Sequence, residues 1–171
     1  MAQLNRGARH PITFTLNGRE VTGHAEPRML LTDFLRQELG AIDIHVGCEH
    51  GVCGACTLRI DGKAVRSCLT FAVQIEGRRI DTVGGLADTE GELSDLQKAF
   101  RKHHALQCGY CTPGILMSLT DYLERNPRPS EEELRDMLSG HLCRCTGYVG
   151  MVRAVLDLVS EDGTGAGSAA G

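Results

Sequence analysis

The chain has 171 residues, 42% of them hydrophobic and 23% charged, and 18 basic against 22 acidic residues leave a net charge of −4. That balance supplies no single-sign field for nucleic acid, and 4% aromatic content without a tryptophan leaves no stacking platform for single strands. The eight cysteines are about 5% of the residues, below the roughly 8 to 10% of a disulfide scaffold, and no segment approaches the ~18 apolar residues of a membrane span.

The opening residues MAQLNRGARHPI contain no secretory apolar core, so a reducing, cytoplasmic compartment is expected, where clustered thiols serve as metal ligands. The length suits two small domains, each organised around a metal site, because small domains bury too little apolar surface to be stable alone.

Residues 12–16 alternate Ile, Thr, Phe, Thr, Leu; with Asn17-Gly18 and residues 20–24 they predict a hairpin closed by a primed turn. Leu30, Leu31, Phe34, Leu35 and Leu39 recur at helical spacing, and Gly40 supplies a stop. A second hairpin is predicted from residues 57–60, Asp61-Gly62 and residues 64–65, with a further strand at 79–83. A small mixed sheet crossed by one helix follows.

Residues 82–92, rich in Gly, Asp and Thr, mark the boundary, giving domains at 1–84 and 85–160. Four helices are predicted beyond it, at 94–105, 113–126, 130–138 and 148–160. Ser94 with Gln97 and Ser130 with Glu133 form capping boxes, and Thr112 caps a helix whose first turn holds Pro113. In the last helix Tyr148, Val152, Val155, Leu156 and Val159 form one apolar stripe, the core face of a bundle. Residues 161–171 are expected to be a disordered tail, since 163–171 contain only Gly, Thr, Ala and Ser.

The cysteines fall into two sets of four. Cys48, Cys53, Cys56 and Cys68 follow C-x4-C-x2-C with a distant fourth cysteine, the plant-type spacing for a 2Fe-2S cluster. Glycines 47, 51 and 54 interleave with the first three, where the tight wrap needs left-handed backbone and close approach of N–H groups to sulfur. His45 and His50 flank this loop; with four cysteines present they are expected to be ordinary polar side chains rather than ligands.

The second set is C-x2-C at Cys108 and Cys111, then 31 residues, then C-x-C at Cys143 and Cys145. A helical hairpin brings two such breaks to one end of a bundle. Spacing alone leaves zinc open here, and with it a zinc-stabilised adaptor that does no redox chemistry. Another iron-sulfur subunit of respiratory type is a third reading, but it calls for a C-x2-C-x2-C-x3-C-P run that the chain lacks. There is also no Gly-rich dinucleotide loop to bind FAD on this chain.

Taken together, GCEHGVCGAC with Cys68, QCGYCTPG and CRCTG resemble the small iron-sulfur subunit of xanthine oxidase family molybdenum hydroxylases, as in the carbon monoxide dehydrogenase small subunit. The resemblance implies an α+β chain, with a plant-ferredoxin-like β-grasp domain followed by a four-helix-bundle domain. It implies that Cys108, Cys111, Cys143 and Cys145 hold the cluster nearer molybdopterin, and Cys48, Cys53, Cys56 and Cys68 the one nearer FAD. It also implies that Gln107 and Cys145 contact the pterin; without it, Gln107 is a polar residue satisfying nearby backbone.

The implied role is electron transfer, from a molybdopterin-binding large subunit toward an FAD-binding medium subunit, in a heterotrimer or dimer of heterotrimers. No catalytic residue is implied on this chain. Arg144 has two readings, a charge that stabilises the reduced cluster or an anchor for a partner. His103 and His104 are expected to cap a helix end, where the dipole favours cations.

Overall fold

The computed structural model describes residues 4–87 and 90–164, with side chains described up to residue 160. Five strands, β1 (His10–Leu16), β2 (Arg19–Ala25), β3 (Thr57–Ile60), β4 (Lys63–Arg66) and β5 (Arg79–Asp81), form one mixed sheet in the order β2-β1-β5-β3-β4. β1 and β5 run parallel, and the remaining pairs are antiparallel.

Both hairpins turn through two residues with positive φ, Asn17 (48°) with Gly18 (79°), and Asp61 (50°) with Gly62 (83°). This is the type I′ geometry whose twist matches the flanking strands.

Helix α1 (Leu31–Asp33) departs from the expected helix. It lasts three residues and passes into a π turn over Phe34–Glu38, ending where Gly40 adopts φ +68°. The wider turn buries Phe34 and Leu35 completely. Phe34 lies against β2 at Gly23, where a Cβ would stand 2.6 Å from its ring, and faces Phe14 with ring centroids 6.0 Å apart. Burying such a side chain contributes about 1.5 to 3 kcal/mol, so Gly23 leaves space that this core uses.

The remaining helices are α2 (Asp95–Lys102), α3 (Thr112–Arg125), α4 (Glu131–Ser139) and α5 (Val149–Thr164). Both capping boxes form, with Gln97 N donating to Ser94 Oγ at 3.4 Å and Glu133 N to Ser130 Oγ at 3.2 Å. Helix α3 begins one residue earlier than expected: Cys111 is its N-cap, and the buried Thr112 hydroxyl has no partner among the described residues. Helix α5 runs four residues past the expected end at 160, because the backbone ladder continues where the apolar stripe stops; residues 165–171 of the expected tail lie outside the described residues. Among the described residues no helix is long and apolar enough to cross a membrane.

Two apolar cores result. One gathers Ile12, Phe14, Phe34, Leu35, Leu58 and Ile80 between sheet and α1; the other gathers Phe100, Ile115, Leu119, Leu134, Val152 and Val155 among the helices. Helix α3 joins them by packing on β3. Its Gly114 permits this, since a Cβ there would stand 2.1 Å from the Gly54 carbonyl oxygen.

Candidate iron-sulfur sites

The loop from Val46 to Cys56 wraps through glycines 51 (φ 82°) and 54 (φ 77°), and Glu49 also adopts a positive φ of 58°. This curvature turns backbone N–H groups toward sulfur. The Cys53 N–H donates to Cys48 Sγ at 3.4 Å, and that bond, followed by the His50 N–H, pulls the Cys48 thiol down to about 6. Burial and then the Cys56 side chain push Cys68 up to about 12, and burial also raises Cys53. Cys68 arrives from beyond the β3–β4 hairpin on a 3-10 turn and is buried, as is Cys56.

The second set sits at one end of the helices. Cys108 and Cys145 are exposed, their sulfurs 3.5 Å apart; Cys111 is buried at the start of α3 and interacts with Cys143. Burial, then the Cys143 side chain, pushes Cys111 up to about 12. For Cys143 burial acts upward too, but hydrogen bonds from the Thr146 hydroxyl and backbone outweigh it and lower the thiol.

The loop is held by Tyr148, at φ 66°, whose hydroxyl accepts from Cys143 N and donates to the His141 carbonyl, both at 2.8 Å. The Gln107 amide donates to the Cys145 carbonyl at 3.1 Å, so the backbone role is present and the side chain stands beside the exposed pair.

All eight cysteines are free thiols. In each set the sulfurs interact, Cys48 with Cys53, Cys56 with Cys68, Cys108 with Cys145 and Cys111 with Cys143, and charge interactions also run across these pairs. Among the described residues no three His, Cys, Asp or Glu side chains close on a single ion. Four thiol donors in each set and N–H groups aimed at sulfur fit an iron-sulfur cluster, because donated hydrogen bonds favour the thiolate that ligation requires.

His50 bonds back to the Cys48 carbonyl; His103 is the C-cap residue of α2, its N–H donating to the Ala99 carbonyl at 3.0 Å, and its Nε2 donates to Asp157 of α5 at 2.8 Å. Arg144 is exposed.

Three features at the meeting of the loops escaped the sequence reading. Leu142 N donates to the Cys53 carbonyl at 2.9 Å. His141, 2% exposed, contacts Ser118 Oγ through Nε2 at 2.8 Å, while its Nδ1 faces Gly54 without a partner among the described residues; burial, then Arg66, lowers its pKa to about 4. The third is Tyr110, stacked on His45. An aromatic residue inside C-x2-C was the only sequence signal for that contact.

Sheet and helices thus carry one thiol set each, which defines a two-site iron-sulfur electron carrier. A 2Fe-2S iron-sulfur cluster binding domain matches residues 14–87, and a [2Fe-2S] binding domain matches residues 82–156. The nicotine 6-hydroxylase small subunit of Paenarthrobacter nicotinovorans is 55% identical over 152 residues, 89% of this chain and 91% of that one. The xanthine dehydrogenase iron-sulfur-binding subunit of Escherichia coli O157:H7 is 43% identical, covering 90% of this chain and 97% of the relative. The solved quinoline 2-oxidoreductase of Pseudomonas putida 86 superposes with a TM-score of 0.87 at 48% identity, over 92% of this chain and 98% of that chain. The chain belongs to the family of small iron-sulfur subunits of xanthine oxidase family oxidoreductases, which carry two 2Fe-2S clusters.

Proposed function

We propose that Cys48, Cys53, Cys56 and Cys68 hold a 2Fe-2S cluster nearer FAD, and that Cys108, Cys111, Cys143 and Cys145 hold one nearer molybdopterin. A thiolate-held cluster supplies a one-electron carrier whose charge changes with little rearrangement. The protein's part is to supply thiolates, aim N–H groups at sulfur and keep the two sites together. Electron flow then runs from a molybdopterin-binding large subunit toward an FAD-binding medium subunit. Substrate chemistry belongs to the large subunit, and this chain contributes no catalytic acid or base.

The observation that carries this reading is that both thiol sets stand in loops that hydrogen-bond directly to each other, at Cys53 and Leu142. The two 2Fe-2S domain matches support the cluster over zinc. Gln107 beside the exposed Cys108–Cys145 pair supports a pterin-facing edge there, with Gln107 and Cys145 in contact with the pterin. The two cores support a β-grasp domain at 1–84 and a four-helix-bundle domain at 85–160. The assembly is a heterotrimer or dimer of heterotrimers in the cytoplasm.

Two distinct 2Fe-2S signals on reduction, with iron and acid-labile sulfide in equal amounts, are the expected result; zinc without sulfide would defeat the reading. In the assembled enzyme, Cys108→Ser or Cys145→Ser removes one cluster and stops substrate-driven flavin reduction. Unchanged flavin reduction overturns the path. Gln107→Ala keeps both clusters and slows electron entry.

A further inference from the structure

Tyr110 stands between Cys108 and Cys111, and its ring lies over His45 with centroids 4.7 Å apart and planes within 17°. Two hydrogen bonds close the arrangement. His45 Nδ1 contacts the Tyr110 carbonyl at 2.8 Å, and the Tyr110 hydroxyl contacts the Val46 carbonyl at 2.6 Å. A carbonyl only accepts, so His45 carries its proton on Nδ1 and Tyr110 donates. Each loop thus offers a side chain to the other's backbone, within three residues of Cys48 on one side and next to Cys111 on the other.

The pair adds little to either core. Tyr110 is 49% exposed and belongs to neither apolar cluster. What it does is join two loops 64 residues apart in sequence. The bond from Leu142 to Cys53 ties the first loop to the Cys143–Cys145 loop, and α3 packs on β3, but neither contact is made by the Cys108–Cys111 loop itself. The His45–Tyr110 stack is the tie that reaches the Cys108–Cys111 loop directly.

We propose that His45 and Tyr110 form a clasp that sets the separation and orientation of the two cluster sites, and so act as positioning residues for electron passage between them. The inference rests on the two-cluster reading above. Coupling between two redox centres falls steeply with distance, so a small shift of the Cys108–Cys111 loop against the first loop changes the rate. A clasp with two hydrogen bonds and a planar stack holds one geometry.

The test uses the full chain carrying both clusters. Tyr110→Phe keeps the stack and removes the bond to Val46; Tyr110→Leu removes both, and His45→Ala removes the stack and the bond to the Tyr110 carbonyl. Iron and sulfide content is measured first, then the spin–spin splitting in the resonance spectrum of the fully reduced protein, then the rate of electron re-equilibration after a one-electron pulse. The expected result is full iron in all three variants. Splitting is broadened or lost and re-equilibration slows several-fold in Tyr110→Leu and His45→Ala, with a smaller effect in Tyr110→Phe. Full iron with splitting and rate unchanged overturns the clasp. Loss of iron also overturns it, because the pair would then retain a cluster rather than place one. A wild-type chain without two reducible clusters would defeat the underlying reading, whatever the variants do.

Discussion

The backbone N–H of Leu142 donates to the carbonyl of Cys53 at 2.9 Å, and Leu142 is covalently joined to Cys143. One hydrogen bond therefore connects a thiol-bearing residue of the sheet half to the neighbour of a thiol-bearing residue of the helical half. The geometry depends on close backbone approach, which the glycines beside it permit.

Gly54 combines a φ of 77° with the His141 ring, whose Nδ1 would stand 2.3 Å from an added Cβ. Gly54→Ala is expected to destabilise the chain by at least about 2 kcal/mol, from left-handed backbone and overpacking together. Adding His141→Ala relieves the contact and leaves the backbone cost, so the double variant is less unstable than the sum of the singles. Strict additivity in unfolding measurements would show that the ring is not the obstacle.

Arg59 of β3 reaches Glu124 of α3 at 2.6 Å and also donates to the Gly62 carbonyl at 2.8 Å. The Arg59 side chain is 10% exposed and that of Glu124 is 55%, so the partners are not equivalent. Glu124→Gln is expected to cost about 1 kcal/mol or less, as exposed ion pairs do. Arg59→Ala should cost about 2 to 4 kcal/mol, through lost packing of its stem and an unpaired carbonyl. Equal losses in denaturant titrations would contradict the asymmetry.

Ser130→Ala removes the acceptor for Glu133 N at the head of α4 and is expected to cost about 1 kcal/mol. The hydrogen-exchange protection of α4 should fall before that of α3 or α5. Uniform loss of protection across all three helices would refute a local cap.

Asp157 on α5 accepts from Lys102 Nζ at 2.6 Å and His103 Nε2 at 2.8 Å, and these contacts, Lys102 first, hold its carboxyl below the usual value near 3.8. A carboxyl lowered on folding stabilises the native state above its unfolded pKa and loses that contribution as pH falls through the folded one. The stability difference between wild type and Asp157→Asn should shrink as the solution is acidified below 3.8. A difference that grows on acidification would reverse the sign.

Much of the secondary structure was legible because local chemistry dictates it. Asn17-Gly18 and Asp61-Gly62 tolerate the positive φ values that a primed turn demands, and Ser94 and Ser130 satisfy helix N–H groups from three residues away. The π turn at Phe34–Glu38 was not legible, since apolar spacing from Leu30 to Leu39 does not separate i→i+4 bonding from i→i+5. Nor was the Thr112 side chain, which had looked like a cap. Cys111 takes the N-cap position because the helix starts directly at the thiol.

By itself the sequence determined the two groups of four cysteines, the turns, the helix starts and the resemblance built on those motifs, because each depends on residue type and short spacing. Only the tertiary structure decided which thiols interact, that Leu142 meets Cys53, that His141 presses on Gly54 and that Tyr110 stacks on His45. Those contacts join residues far apart in the chain. No local preference encodes them, and they exist because α3 packs on β3 through Gly114 and brings both loops to one junction.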